Sequence, residues 1–175
     1  PIKSSAASDV YKRQMFANAN ENSYITLGSG YTMYREALQN WHYAIDITGK
    51  TSFIRGTPIF SPTSGTVIYS DENEGSGNYV VIETDKCIKG TGKKVILTFA
   101  HMIERSPLEV GQRVLPKKFI GYVGDTGNTD GNHLHHAVFK SAPGANVFYE
   151  SKINCINPQR FYPNVPFAGE TSTAP

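Results

Sequence analysis

The sequence predicts an all-β protein: an antiparallel β-sheet core, sandwich or open barrel, with minor short helices. Three observations carry that prediction. From Tyr24 onward the chain runs as short segments rich in Val, Ile, Tyr, Phe and Thr, residue types that suit a pleated, half-buried surface. Glycine-bearing turns separate these segments. Helical stretches do not alternate with the strands, as a parallel sheet would require.

Taken in order, residues 1 to about 23 are small, polar and aperiodic, and are expected to form a leader. Its first part, Pro1 to Gln14, resembles translated adapter sequence, so residues 1–14 are expected to be non-native, with any export signal lost. Tyr34 to Gln39 has the composition of a short helix. Strands are expected over Trp41 to Ile47, Gly65 to Ser70, Tyr79 to Thr84, Lys94 to Ala100, Phe119 to Val123 and His133 to Phe139. Turns fall at Gly75-Ser76-Gly77-Asn78 and Lys89-Gly90-Thr91-Gly92. Asn157 to Tyr162 forms a second short helix, with Asn157 as cap and Pro158 in the first turn. Residues 164–175, rich in Pro, Thr, Ser and Ala, read as a tail. One domain over residues 24–163 is expected, with no internal repeat.

Composition narrows the function. Of 175 residues, 39% are hydrophobic and 18% charged, which is a globular balance with enough chain for one core. Seventeen basic against fifteen acidic residues give a net charge of +2. No Lys/Arg stripe accompanies it, so nucleic acid is not an expected partner. Lys93-Lys94 and Lys117-Lys118 read as solvated strand ends. No run reaches the ~18 apolar residues of a membrane span, and no basic-then-apolar signal segment is visible. Cys87 and Cys155 permit one disulfide or two free thiols, and their spacing rules out a four-sulfur zinc site.

All five histidines fall in three short motifs. They are His42 in Trp41-His42-Tyr43-Ala44-Ile45-Asp46, His101 in Phe99-Ala100-His101-Met102, and the run Asn132-His133-Leu134-His135-His136. On a strand, His42, Ala44 and Asp46 share one face, and small Ala44 leaves room for an ion. His133 and His135 likewise point together on a strand, whereas a helix would splay them roughly 200° apart. His136 then takes the opposite face with Leu134 and Val138. Three protein ligands plus water is the usual catalytic zinc arrangement. His42, Asp46 and one of His133 and His135 supply three, leaving His101 and the other histidine over. Imidazole with carboxylate suits Zn²⁺. There is no HExxH motif, which excludes the thermolysin-type arrangement.

At these residues the sequence resembles the lysostaphin/LytM-type zinc metallopeptidases, which cut peptide bonds in bacterial peptidoglycan. The resemblance runs from about Tyr31 to Tyr162. It includes Gly56-Thr57-Pro58-Ile59-Phe60-Ser61-Pro62, Ser64-Gly65-Thr66-Val67-Ile68 and Gly77-Asn78-Tyr79-Val80-Val81-Ile82. It continues through Val110-Gly111-Gln112-Arg113-Val114, Ile120-Gly121, Gly124-Asp125-Thr126-Gly127 and His133-Leu134-His135. It implies His42, Asp46 and His135 as zinc ligands, and His101 and His133 as two unligated catalytic histidines. It also implies an antiparallel core of the duplicated hybrid-motif kind, with a loop-walled groove floored by the metal. Three positions or segments depart from the family pattern: Ala44 for a usual Gly, His136-Ala137 for Phe-Glu, and Leu115 to Phe119 for a glycine-bearing turn. None is a ligand position.

The expected function is therefore a Zn²⁺-dependent endopeptidase acting on peptidoglycan cross-bridges or stem peptides. Its expected place is extracellular or at the cell wall, as a monomer, with a phage lysin or virion origin left open. Two other readings compete: a non-catalytic wall-binding or amidase-activating module, and a metal-stabilised structural domain of a phage tail or secretion assembly. The complete histidine set favours the enzyme. Groove walls are expected at Gly49 to Arg55, Asp71 to Gly77 and Ala142 to Lys152.

Overall fold

A computed structural model describes residues 23–25, 30–31, 33–35, 40–49, 55–142 and 152–161. Among the described residues there are twelve strands: β1 (Ser23–Ile25), β2 (Met33–Arg35), β3 (Asn40–His42), β4 (Ile45–Gly49), β5 (Pro58–Phe60), β6 (Gly65–Asn73), β7 (Gly77–Cys87), β8 (Lys94–Met102), β9 (Arg113–Val114), β10 (Phe119–Tyr122), β11 (Leu134–Ser141) and β12 (Cys155–Ile156). The main sheet runs β1-β4-β11-β8-β7-β6-β9, with β12 also paired to β11. Two small sheets, β5 with β10 and β2 with β3, complete the set. Every pairing is antiparallel. The all-β antiparallel prediction holds.

Alternation along the central strands builds two apolar layers. On β8, Val95, Leu97 and Phe99 join Val80 and Ile82 of β7 and Leu134 and Val138 of β11 in one cluster. Ile59 of β5 and Ile120 of β10 belong to that cluster, so the small sheet takes part in covering this face. Ile96 and Ala100, which alternate with them along β8, face the other way with Val81, Ala137 and Phe139. Burying such central strands on both faces explains their near-continuous apolar sequence. It is also the main favourable term for the fold, at about 25 cal/mol per Å² of apolar surface removed from water.

Several expectations need correction. Trp41 to Ile47 is not one strand. It breaks at Tyr43-Ala44, because β3 pairs with β2 while β4 pairs with β1 and β11. The chain changes ladders at that point. Tyr34 belongs to strand β2 and not to a helix, while residues 36–39 of the expected helix lie outside the described residues. The second helix is a short 3₁₀ turn over Pro158–Phe161. Its cap is as read: the N–H of Gln159 donates to Asn157 Oδ1 at 2.9 Å. Strands β1, β2, β5, β9 and β12 were not anticipated. Each is two or three residues long, too short for alternation to register in sequence. The leader through residue 22, the tail 164–175 and the loop residues 50–54 and 143–151 lie outside the described residues. No disulfide joins the two cysteines, Cys87 being exposed and Cys155 buried. No described helix is long and apolar enough to cross a membrane.

Candidate active site

Strand β11 organises the site, because it pairs on both sides. His135 is the register partner of Asp46 on β4 and of Ala100 on β8. Adjacent strands lie ~4.8 Å apart, so this register sets a histidine, a carboxylate and a small residue in one row. The short Ala44 and Ala100 are both buried in the layer beneath. His42 arrives from β3, across the Tyr43-Ala44 break.

The three side chains meet. His135 Nδ1 lies 2.9 Å from Asp46 Oδ1. His42 Nε2 lies 3.4 Å from the same oxygen and 3.2 Å from His135 Nδ1. Three donors at ~2.0–2.1 Å around a tetrahedral ion would stand roughly 3.3 Å apart. Asp46 Oδ1 is also 3.4 Å from His133 Nε2. His101 closes the group, its ring centre 4.9 Å from that of His133 and 5.6 Å from that of His135. Two donor triplets have their atoms mutually within 4.8 Å: His42, Asp46 and His135, and His101, His133 and His135.

Backbone carbonyls set which ring nitrogen each histidine offers. A carbonyl only accepts, so the facing nitrogen must carry hydrogen. Thus Nδ1–H of His42 donates to the Gly30 carbonyl at 3.2 Å, that of His101 to Thr126 at 2.8 Å, and that of His133 to Gly131 at 2.9 Å. In the neutral ring each then turns an Nε2 lone pair to the site. These carbonyl partners are the outer contacts that fix tautomer and aim in metal-binding histidines.

Charge follows from burial. Burial alone would raise the Asp46 carboxyl, but hydrogen bonds from His135 and His42 outweigh it and hold the group well below the usual carboxylate range. Burial pushes His101 down to about 4, helped by repulsion from His135 and His133. Burial also lowers His133, opposed by Asp46. The result is a buried carboxylate oxygen faced by imidazole nitrogens, with His101 and His133 shifted by burial toward the neutral ring. That donor set suits a divalent cation of the zinc type.

His101 reaches this group by an irregularity. Strict alternation would place it on the Phe99 face, away from Ala100 and His135. Between Val80↔Phe99 and Asn78↔Met102 the ladder takes two steps on β7 but three on β8. The extra residue is a β-bulge, and His101 sits in it at φ 60°. Bulges beside functional sites re-aim side chains in this way. His136 lies opposite, as expected. It is fully buried, donates Nδ1–H to the Thr98 carbonyl at 2.7 Å and rests against Phe99 at 5.0 Å.

All five predicted site residues therefore converge. His42 and Asp46 meet across the change of ladder at Tyr43-Ala44, and not along one continuous strand. Missed from sequence were the carbonyl partners of Gly30, Thr126 and Gly131, which no side-chain pattern announces. Of the three expected groove walls, Asp71 to Gly77 borders an open hollow of ≈ 970 Å³, closed on the other side by Thr126, Gly127 and Asn128.

The fold and this site define a known class. The model of Peptidase family M23 matches residues 40–147, and the chain belongs to that family. Over 81 residues it is 35% identical to the peptidoglycan DD-endopeptidase ShyC of Vibrio cholerae serotype O1, covering 46% of this chain but only 17% of that protein. Its fold matches that of LytU at a TM-score of 0.60 and 28% identity, over 82% of this chain and 87% of that one. A zinc-containing peptidase from Vibrio cholerae matches at a TM-score of 0.58 and 24% identity, over 74% of this chain and 36% of that one.

Proposed function

We propose that this chain is a zinc-dependent endopeptidase that hydrolyses peptide bonds in the cross-bridges or stem peptides of bacterial peptidoglycan, acting outside the cell or at its wall. The observation that carries the reading is one oxygen, Asp46 Oδ1, with three imidazole nitrogens within 2.9–3.4 Å of it. Membership of the M23 family supports peptidase chemistry, and similarity to ShyC, a peptidoglycan DD-endopeptidase, supports peptidoglycan as substrate.

In this reading His42 Nε2, Asp46 Oδ1 and His135 Nδ1 would hold the ion. They are favoured over the all-histidine triplet because they include the carboxylate, and because their spacing is close to tetrahedral. A bound zinc ion would supply Lewis-acid polarisation of the scissile carbonyl and a lowered pKa for water. The chain's own residues handle the protons. His101 and His133 turn Nε2 lone pairs to the reacting side, and burial shifts both toward the neutral ring. One can take the proton of the attacking water, and the protonated ring can then return it to the leaving amine. A ring so protonated also opposes the negative charge that develops on the carbonyl oxygen.

The test is mass spectrometry of purified peptidoglycan digested by residues 15–175, with zinc and with a chelator. New peptide fragments that vanish with chelator are expected, and their masses name the bond. Intact wall in both samples, across several cross-link chemistries, would replace this reading with a non-catalytic wall-binding module.

A further inference from the structure

We propose that Thr126 and Asn78 are positioning residues that lock His101 in the tautomer with Nδ1 protonated and Nε2 open to the site. The inference rests on the proposed role of His101 as a proton carrier, and it deepens that role.

His101 occupies the left-handed backbone region at φ 60°, which strains a non-glycine residue, so something must hold it there. Its N–H donates to the Ser76 carbonyl at 2.9 Å. Its ring donates Nδ1–H to the Thr126 carbonyl at 2.8 Å. That carbonyl belongs to the peptide joining Thr126 to Gly127, and Gly127 has φ 80°. A peptide next to a left-handed glycine can turn over at low steric cost. Turning over would present an N–H to Nδ1 in place of a carbonyl. His101 would then have to accept at Nδ1 and carry its hydrogen on Nε2, where an open lone pair is needed.

The structure braces that peptide on both sides. Before it, Thr126 Oγ1 donates to the Met102 carbonyl at 2.7 Å and accepts from the Asn78 N–H at 3.0 Å. The Asn78 side chain, nearly buried, donates Nδ2–H to the Met102 carbonyl at 3.2 Å and reaches that of Ile103 at 3.4 Å. These carbonyls follow His101 directly in sequence, so the clasp grips the bulge and the turn together. After the peptide, the N–H of Asn128 donates to the Gly75 carbonyl at 3.0 Å. The side chains of Thr126 and Asn78 thus act on His101 through the backbone.

The test uses the zinc-loaded full chain and its Thr126→Val, Thr126→Ser and Asn78→Ala variants. Thr126→Val and Asn78→Ala are expected to lose roughly 10–100-fold in kcat, the usual scale for such outer contacts, with KM and zinc content unchanged. Thr126→Ser, which keeps the hydroxyl, is expected to restore kcat. ¹⁵N-histidine NMR reads the tautomer independently of activity: His101 is expected as the Nδ1–H form in the wild type and as a mixture in Thr126→Val and Asn78→Ala. Wild-type kcat with an unchanged His101 signal in either of those two variants would overturn the proposal. If Thr126→Val does not fold, Asn78→Ala carries the test alone. A wild-type chain that cleaves nothing overturns the proposed function, while the NMR comparison still decides the clasp.

Discussion

His135 Nδ1 stands 2.9 Å from Asp46 Oδ1, although 89 residues separate the two in sequence. Their contact is a consequence of register, since they are direct partners in the β11–β4 ladder. The carboxylate is almost fully buried, so its charge must be met by neighbours or by an ion. Removing one donor therefore has a larger effect than losing one hydrogen bond. His135→Ala is expected to abolish stoichiometric zinc binding and activity together, as read by metal analysis and by peptide release from peptidoglycan. His133→Ala is expected to keep most of the zinc and to lose about 10²–10⁴-fold in turnover, the range for a proton-transfer group. A metal-free His133→Ala protein would show that the ligand set is the all-histidine triplet instead.

Gly77 lies back to back with the turn that carries Thr126. It has φ 61°, and a Cβ added there would overlap the Thr126 carbonyl carbon and oxygen. Backbone cannot yield there, so strain and overlap add. Gly77→Ala is expected to destabilise the fold by more than about 2 kcal/mol, measured by denaturant unfolding. Gly56, which also has positive φ (82°) but open space around its Cβ position, is the control. Gly56→Ala is expected to show the strain alone, with a smaller loss.

Much of this site was legible because side chains on a strand alternate. That rule alone put His133 with His135 and turned His136 away, and the structure agrees. The rule failed where the backbone is irregular. His42 and Asp46 were placed on one strand, yet they meet across a change of ladder at Tyr43-Ala44. His101 shares a face with its partners only because a bulge breaks alternation. A bulge held by a non-glycine residue leaves no compositional mark, since glycine is the usual signal for positive φ. The short strands were missed for a related reason: two or three residues carry no period.

The two cysteines are predicted to differ in reactivity. Cys87 is exposed at the end of β7, while Cys155 is buried in the layer beside Phe139. Access of reagent governs thiol modification along with thiolate character. Titration with a thiol reagent is expected to count one group in the native protein and two after unfolding, with no mass change on reduction. A mass gain of two hydrogens on reduction would show a disulfide instead.

His136 predicts an acid-side loss of stability that has nothing to do with turnover. Burial lowers it to about 4 from an ordinary value of 6.5, partly offset by its hydrogen bond to the Thr98 carbonyl. Its folded pKa lies below its unfolded one, so the unfolded chain takes up the proton first as pH falls. Stability from this group is full above pH 6.5, declines toward pH 4 and then levels off. A shift of that size corresponds to roughly 3 kcal/mol. His136→Asn places a non-titrating N–H donor where Nδ1 stands, so the Thr98 bond can persist. Unfolding free energies measured from pH 8 to pH 4 in chelator are expected to fall less steeply for His136→Asn than for the wild type. The offset between the curves at pH 8 reads lost packing, while their difference in slope reads the proton. Parallel curves would show that His136 is not the buried neutral ring on which this account depends.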